Sequence, residues 1–435
     1  MSQETGVSLL RRHRDFRLLW CGEIAGKFGA SVTAVTMPLI AVSALHASTF
    51  EVGLLSASAW MPWLVIGLPV GAWVDRMRRR PVMLTAAATS FLLFAAVPLA
   101  GRTGYLDVGL LMTVALLTGT ATVFFQTAYS AYLPSILDSE DQPEGNAKLH
   151  GSASAAQIAG LGSAGVIGQA FGVVNAMFAN AATFLLSLLC LGSIRHREPR
   201  RERTTVRSQT LRGEVGEGLR LIFGDPWLLP LTLFGAASNL ALMGYQSIQV
   251  VFLVHDVGLA PGAVGGLIAA AGTGGIAGAL MARRASSWLG SARATLLFEL
   301  GFAIFALLIP TAFAGPGLLL FVAGGFCVSA GVVAGNVIKA SFQQRYCPPE
   351  LLGRLTASTA FLNYGTIPLG ALLGGWLGTV FDLRTAMWIT TAGVPLAALT
   401  LLFSPIRRAR DLPTAPRSLN APDAVSHPDL SPRAQ

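Results

Sequence analysis

Glu23 and Lys27 stand four residues apart in GEIAGKFG, inside a stretch that otherwise reads as a lipid-buried helix. One charge at the centre of such a helix costs roughly 2.5–3.5 kcal/mol or more. At i and i+4 the two lie on one helix face, about 6 Å apart along the axis. Glu preceding Lys is the favourable order for a helical ion pair. Two readings follow. In one, the pair neutralises itself and lets the helix tolerate two polar groups. In the other, it faces a central cavity and handles protons or substrate, as intramembrane ionisable residues usually do.

Softer polar candidates recur in other apolar stretches. Asn239, Gln246 and Gln249 repeat near helical spacing around Met243. Gln126 and Tyr129 share one segment, Gln157 another, Asn336 a third, and Asn363 and Tyr364 a fourth. Each alone is readily an interhelical hydrogen bond. Together they suggest a mixed polar and aromatic cavity for a moderately amphipathic molecule. Trp60 and Trp63 suit packing or ligand stacking equally. Glu299 is expected to be structural, paired with nearby Arg293.

The elements holding these residues follow from composition. The 435-residue chain is 53% hydrophobic and only 12% charged, with a mean hydropathy of +0.59. Soluble proteins carry about 25% charged residues, so this is a membrane protein. Stretches long enough to cross a bilayer lie near 17–44, 52–75, 81–101, 106–131, 148–172, 173–194, 226–254, 262–283, 292–313, 317–340, 355–380 and 385–405. The polar, Arg-rich N-terminus leads straight into the first of them and reads as no signal peptide.

Net charge is +9, from 31 Lys and Arg against 22 Asp and Glu. Arg102 and Arg384 fall in loops expected outside, and Lys27 in a span. All other basic residues are placed at the termini or in the alternate loops. This is the positive-inside pattern of a multi-pass plasma-membrane protein with both termini cytoplasmic. It explains the basic balance without nucleic acid. Cys21, Cys190, Cys327 and Cys347 show no CxxC spacing, and the six histidines are dispersed, so no metal site or disulfide framework is indicated. No P-loop points to nucleotide-driven pumping, no clustered Ser-His or Asp-His pairs point to an intramembrane enzyme, and no cofactor is implied.

The chain divides into an N-terminal six-helix bundle (1–195), a linker (196–224), a C-terminal six-helix bundle (225–405) and a disordered cytoplasmic tail (406–435). In the linker, LRGEVGEGLRLIF suits a short amphipathic helix on the inner membrane surface. The halves resemble each other. KLHGSASAAQIAGLGSAGVIGQAFG, from Lys148, aligns without gaps on RLTASTAFLNYGTIPLGALLGGWLG, from Arg354. Gln157 then meets Asn363, Gly168 meets Gly374 and Gly172 meets Gly378. At nearly the same offset GAWVDRM, from Gly71, meets GALMARR, from Gly278. A shared offset indicates a duplicated unit, of the kind that binds substrate between its halves.

GAWVDRMRRRPVML, after the second span, resembles the signature loop of the major facilitator superfamily. Gly71, Asp75, Arg76, Arg79 and Arg80 match it, while Arg78 stands where the family usually has Gly. FRLLWCGEIAGKFG, FFQTAYSAYLPSIL and PPELLGRLTASTAFLNYGTIPLGALLGG are similar to the drug:proton antiporter branch that includes macrolide and siderophore exporters. AQIAGLGSAGVIGQ keeps the glycines of that branch's fifth-helix motif but has Leu161 in place of its proline.

The resemblance implies an all-α membrane protein of 12 transmembrane helices in two pseudo-symmetric bundles. It implies a monomeric secondary active exporter of a lipophilic drug or natural product, working by alternating access with protons as counter-ion. A proton-coupled importer of a small polar nutrient is the second reading, and a membrane enzyme or receptor a remote third. It further implies that Glu23 carries the coupling proton on a cavity-lining first helix. In the signature loop, Gly71 would allow close helix approach. Asp75 would latch onto the N-terminus of the eleventh helix near Arg354, and its arginines would pair with acids or lipid phosphates.

Overall fold

The computed structural model describes residues 9–414, except 139 and 197–210. Every regular element among these residues is a helix, with no strand among them. A short α1 (Leu9–Arg12) leads into α2 (Arg14–Leu39), which ends in a π turn at Ile40–Ala44. α3 (Thr49–Asp75), α4 (Arg79–Thr103), α5 (Val108–Ile136), α6 (Gln142–Phe171) and α7 (Ala176–Gly192) complete the first half. α8 (Leu211–Gly224) precedes α9 (Leu228–Val251), itself closed by a π turn at Phe252–Asp256. α10 (Pro261–Gly272) and α11 (Gly274–Leu289) form one rod. α12 (Ser291–Leu296) continues as a π segment, Leu297–Gly301, and a 3-10 segment, Ala303–Thr311. α13 (Leu318–Tyr346), α14 (Pro349–Val380) and α15 (Leu383–Leu399) finish the second half. Nine helical stretches among the described residues are long and apolar enough to cross a membrane. α7 is apolar but shorter, at 17 residues.

Helix ends are set by local chemistry. Ser48 and Glu51 form a capping box at the start of α3. Asp107 and Asp382 accept from the third backbone N–H of α5 and α15. Gly104, at φ 77°, closes α4. Arg80 donates to the carbonyls of Leu191 and Gly192, the last of α7, and Arg79 to that of Ala131 in α5. Charged donors on carbonyls at a helix C-terminus complement its negative dipole end. So the signature-loop arginines tie three helices of one half together.

Packing repeats across the halves. α6 lies between α2 and α10, and α14 lies between α9 and α3. Exchanging the halves maps one set onto the other, as the internal sequence match requires. Both contacts between halves are tightest at the end of the molecule remote from the arginine-rich loops, here the far end. A Cβ at Gly53 of α3 would come within 2.7 Å of the Gly375 Cα in α14. One at Gly165 of α6 would come within 2.5 Å of the Gly262 carbonyl oxygen in α10. α6 packs chiefly on α10, the far-end part of the rod, and far less on α11, its basic-end part, so the halves part toward the basic end.

Several expectations change. A Cβ at Gly71 would meet nothing within 4 Å; no helix approaches it, because the basic ends of the halves are apart. The Asp75 side chain lies outside the described residues. α8 is turned onto the bundle: Gly218 abuts the Arg354 carbonyl and Ser358 of α14, and Ile222 is fully buried. Residues 406–412, expected in the tail, are packed. Ile406 and Leu412 are buried, and Asp411 accepts from the Ser291 N–H at the start of α12.

Candidate functional site

A cavity of about 890 Å³ lies between the halves. Its walls come from α2, α3, α5 and α6 on one side and α9, α10, α11 and α13 on the other. Leu280 of α11 lines it and is 74% exposed, so the cavity opens toward the basic end. Among the described residues none that lines it carries a charge. Gln157, Gln246 and Gln249 supply amides, and Trp60 and Trp63 supply flat apolar faces. Tyr364 stands behind the tryptophans, with ring centroids 6.2 Å from Trp60 and 5.3 Å from Trp63.

Thr33 on the α2 wall accepts a 2.5 Å hydrogen bond from Asn180, a fully buried residue of α7. Sequence reasoning missed this pair. Its signal was the one amide side chain of α7, whose partner lies 147 residues away.

The remaining polar candidates lie outside the lining. Asn239 donates to the main-chain oxygen of Asn363 at 3.2 Å, joining α9 to α14. Gln126 and Tyr129 are partly buried on α5, and Asn336 is exposed on α13, one turn beyond the lining residue Val333. These positions continue the cavity walls toward the basic end.

Glu23 and Lys27 also lie on that approach. Lys27 Nζ is 3.5 Å from Glu23 Oε1, with the carboxylate buried and the ammonium side chain 39% exposed. Along α2 the face carrying Glu23 and Lys27 continues into the lining residues Ala30, Ala34 and Pro38. Tyr129 lies within electrostatic range of Glu23. The pair therefore stands below the cavity, about one turn from its wall.

Glu299 overturns one expectation. It is 5% exposed and meets Lys339 of α13 at 2.8 Å, rather than Arg293. Arg293 is exposed, six residues back and on a different face. By sequence Lys339 counts with the basic residues of the termini and alternate loops, yet it sits two turns inside α13. Its ammonium also lies 4.8 Å from the Phe234 ring centroid.

A helical molecule with two internally related halves and a cavity between them has well-defined kin. Residues 19–367 match the sequence profile of the Major Facilitator Superfamily. The chain belongs to this superfamily. A multidrug efflux pump, Tap, of Mycolicibacterium fortuitum is 26% identical over 398 residues, covering 89% of this chain and 95% of the relative. Among solved structures, the nucleoside transporter NupG superposes with a TM-score of 0.74 at 11% identity, over 89% of this chain and 99% of that one. A bacterial homologue of the iron transporter ferroportin, in an inward-facing state, gives 0.72 at 16% identity, over 91% and 99%. The two structures establish the fold alone. Membership in the superfamily makes the chain a multi-pass membrane transporter and not an enzyme.

Proposed function

We propose that this superfamily member is a secondary active exporter of amphipathic, lipophilic compounds, driven by proton entry. The observation that carries the reading is the uncharged cavity of about 890 Å³, with two tryptophans and three glutamines on its walls. Such walls bind by apolar contact and stacking, with a few amides to orient polar groups. The Tap relative, named a multidrug efflux pump, supports export as the direction.

In this reading the chain makes twelve crossings as a monomer, with both termini cytoplasmic, because the basic residues gather at one end. The structure then corresponds to the state open to the cytoplasm. Export needs the far-end glycine contacts to part and the basic ends to meet, where Asp75 and Arg76 would close the inner side. Glu23 is the coupling carboxylate. Ionised, it is neutralised by Lys27. Taking a proton, it releases Lys27 and changes the charge below the cavity. Each proton entering along the membrane potential supplies about 2.3 kcal/mol per 100 mV.

The test uses vesicles containing the purified protein, an imposed proton gradient and a panel of fluorescent amphipathic dyes. Wild type accumulates dye only with the gradient present. Glu23→Gln still binds dye but loses the gradient-driven part. Uptake indifferent to the gradient would remove proton coupling, and normal driven transport by Glu23→Gln would remove the role given to Glu23.

A further inference from the structure

The second half of the bundle holds its own intramembrane charge pair. Glu299 lies eight residues into its helix from Ser291, about 12 Å along the axis, and Glu23 nine residues from Arg14, about 14 Å. Among the described residues each half thus carries one buried carboxylate, at a similar depth from the basic end.

Three features set Glu299 apart from an incidental packing residue. It sits on the π segment Leu297–Gly301, in the interior of a span. The other two π turns, Ile40–Ala44 and Phe252–Asp256, close their helices at the far end. A π insertion inside a helix is uncommon and recurs at functional sites. Second, α13 makes room for the carboxylate, since any Cβ at Gly335 would collide with it. Third, Oε1 is fully buried, and the group that meets it is the Lys339 ammonium, 2.8 Å away.

Lys339 connects this site to water. Its side chain is 18% exposed, and exposed Asn336 lies three residues before it on the continuation of the cavity wall. The carboxylate behind it is 4% exposed. Among the described residues no other ionisable group competes for Glu299. Besides Lys339, α13 brings Arg345, which donates to the Ser341 carbonyl. α15 brings only Arg384, at the far end on Asp256. α12 brings Arg293, which is exposed, and α9 brings the Phe234 ring beneath the ammonium.

We propose that Glu299 is a second proton-exchange site of this transporter, gated by the movement of Lys339. The inference rests on the proton-driven reading above. A buried carboxylate stripped of its cation is strongly unfavourable. Lys339 can therefore leave only if Glu299 takes a proton, and the two events are linked. The carboxylate and a hydronium ion give the carboxylic acid and water. The ammonium keeps its protons, so the pair passes from neutral to a single positive charge at the cavity mouth. Return of Lys339 expels the proton.

The test needs no substrate. Infrared difference spectra of the full chain in lipid nanodiscs are recorded as pH is stepped, following the protonated-carboxyl stretch. Glu299→Gln, Glu23→Gln and the double variant Glu299→Gln/Lys339→Met are compared. The double variant removes both charges, so it stays folded if the single substitution does not. The expected result is a titrating band smaller by one carboxyl in each folded variant lacking Glu299, and by a different component in Glu23→Gln. A band unchanged in the folded double variant overturns the proposal; if Glu23→Gln alone diminishes it, Glu23 remains the coupling residue. A titrating band unchanged in all the folded variants overturns both assignments.

Discussion

At the scale of single residues, charge stands apart from the cavity. Its walls are uncharged among the described residues, and both buried carboxylates lie toward the basic end beyond them. Binding and coupling should therefore respond to different substitutions. Trp63→Ala removes one aromatic face worth about 0.5–1.5 kcal/mol, so the half-saturation concentration should rise roughly 2- to 10-fold. Its dependence on the proton gradient should not change. Dye titration with and without the gradient checks this, and a loss of driven transport at unchanged half-saturation would contradict it. Asn239→Ala behaves differently if it serves as a tie between α9 and α14. Losing one interhelical hydrogen bond in a membrane costs about 0.6 kcal/mol, so thermal stability in detergent should fall slightly while half-saturation stays at the wild-type value.

At the scale of elements, helix ends and glycine contacts carry the predictions. Ser48→Ala breaks the capping box of α3 and should cost about 1 kcal/mol, read as an earlier unfolding transition in detergent. Asp382, at the N-terminus of α15, accepts from the backbone N–H of Thr385. That bond holds its carboxyl below the usual carboxylate range. Because the folded value is lowered, its contribution is complete above the ordinary range and lost as pH falls through the lowered value. Asp382→Asn keeps an acceptor at every pH, so the variant's acid unfolding limb should be shallower than wild type. An identical limb would show that this cap does not register in stability.

At the scale of the whole molecule, two halves meet through glycines at one end and part at the other. Gly165 and Gly53 touch backbone atoms of the opposite half, where no side chain can yield. Gly165→Val should hold the far end apart and shift the population away from the basic-end-open form. A cysteine placed at Thr33, on the cavity wall, should then label faster from the far side and slower from the basic side; unchanged labelling would show that the contact is not a gate. Much of this architecture was legible in the chain. Hydropathy marks the apolar helices because lipid admits only internally bonded backbone, the basic loops mark one end, and a shared offset marks the duplication. Glu23–Lys27 was legible too, because i,i+4 geometry is local. What depends on contacts distant in sequence was not. Lys339 meeting Glu299 across 40 residues, Asn180 meeting Thr33, α8 folding onto α14 and the open space at Gly71 follow from how the halves pack and which end is open. A helix's period fixes which face a residue occupies, and only tertiary packing decides what that face meets.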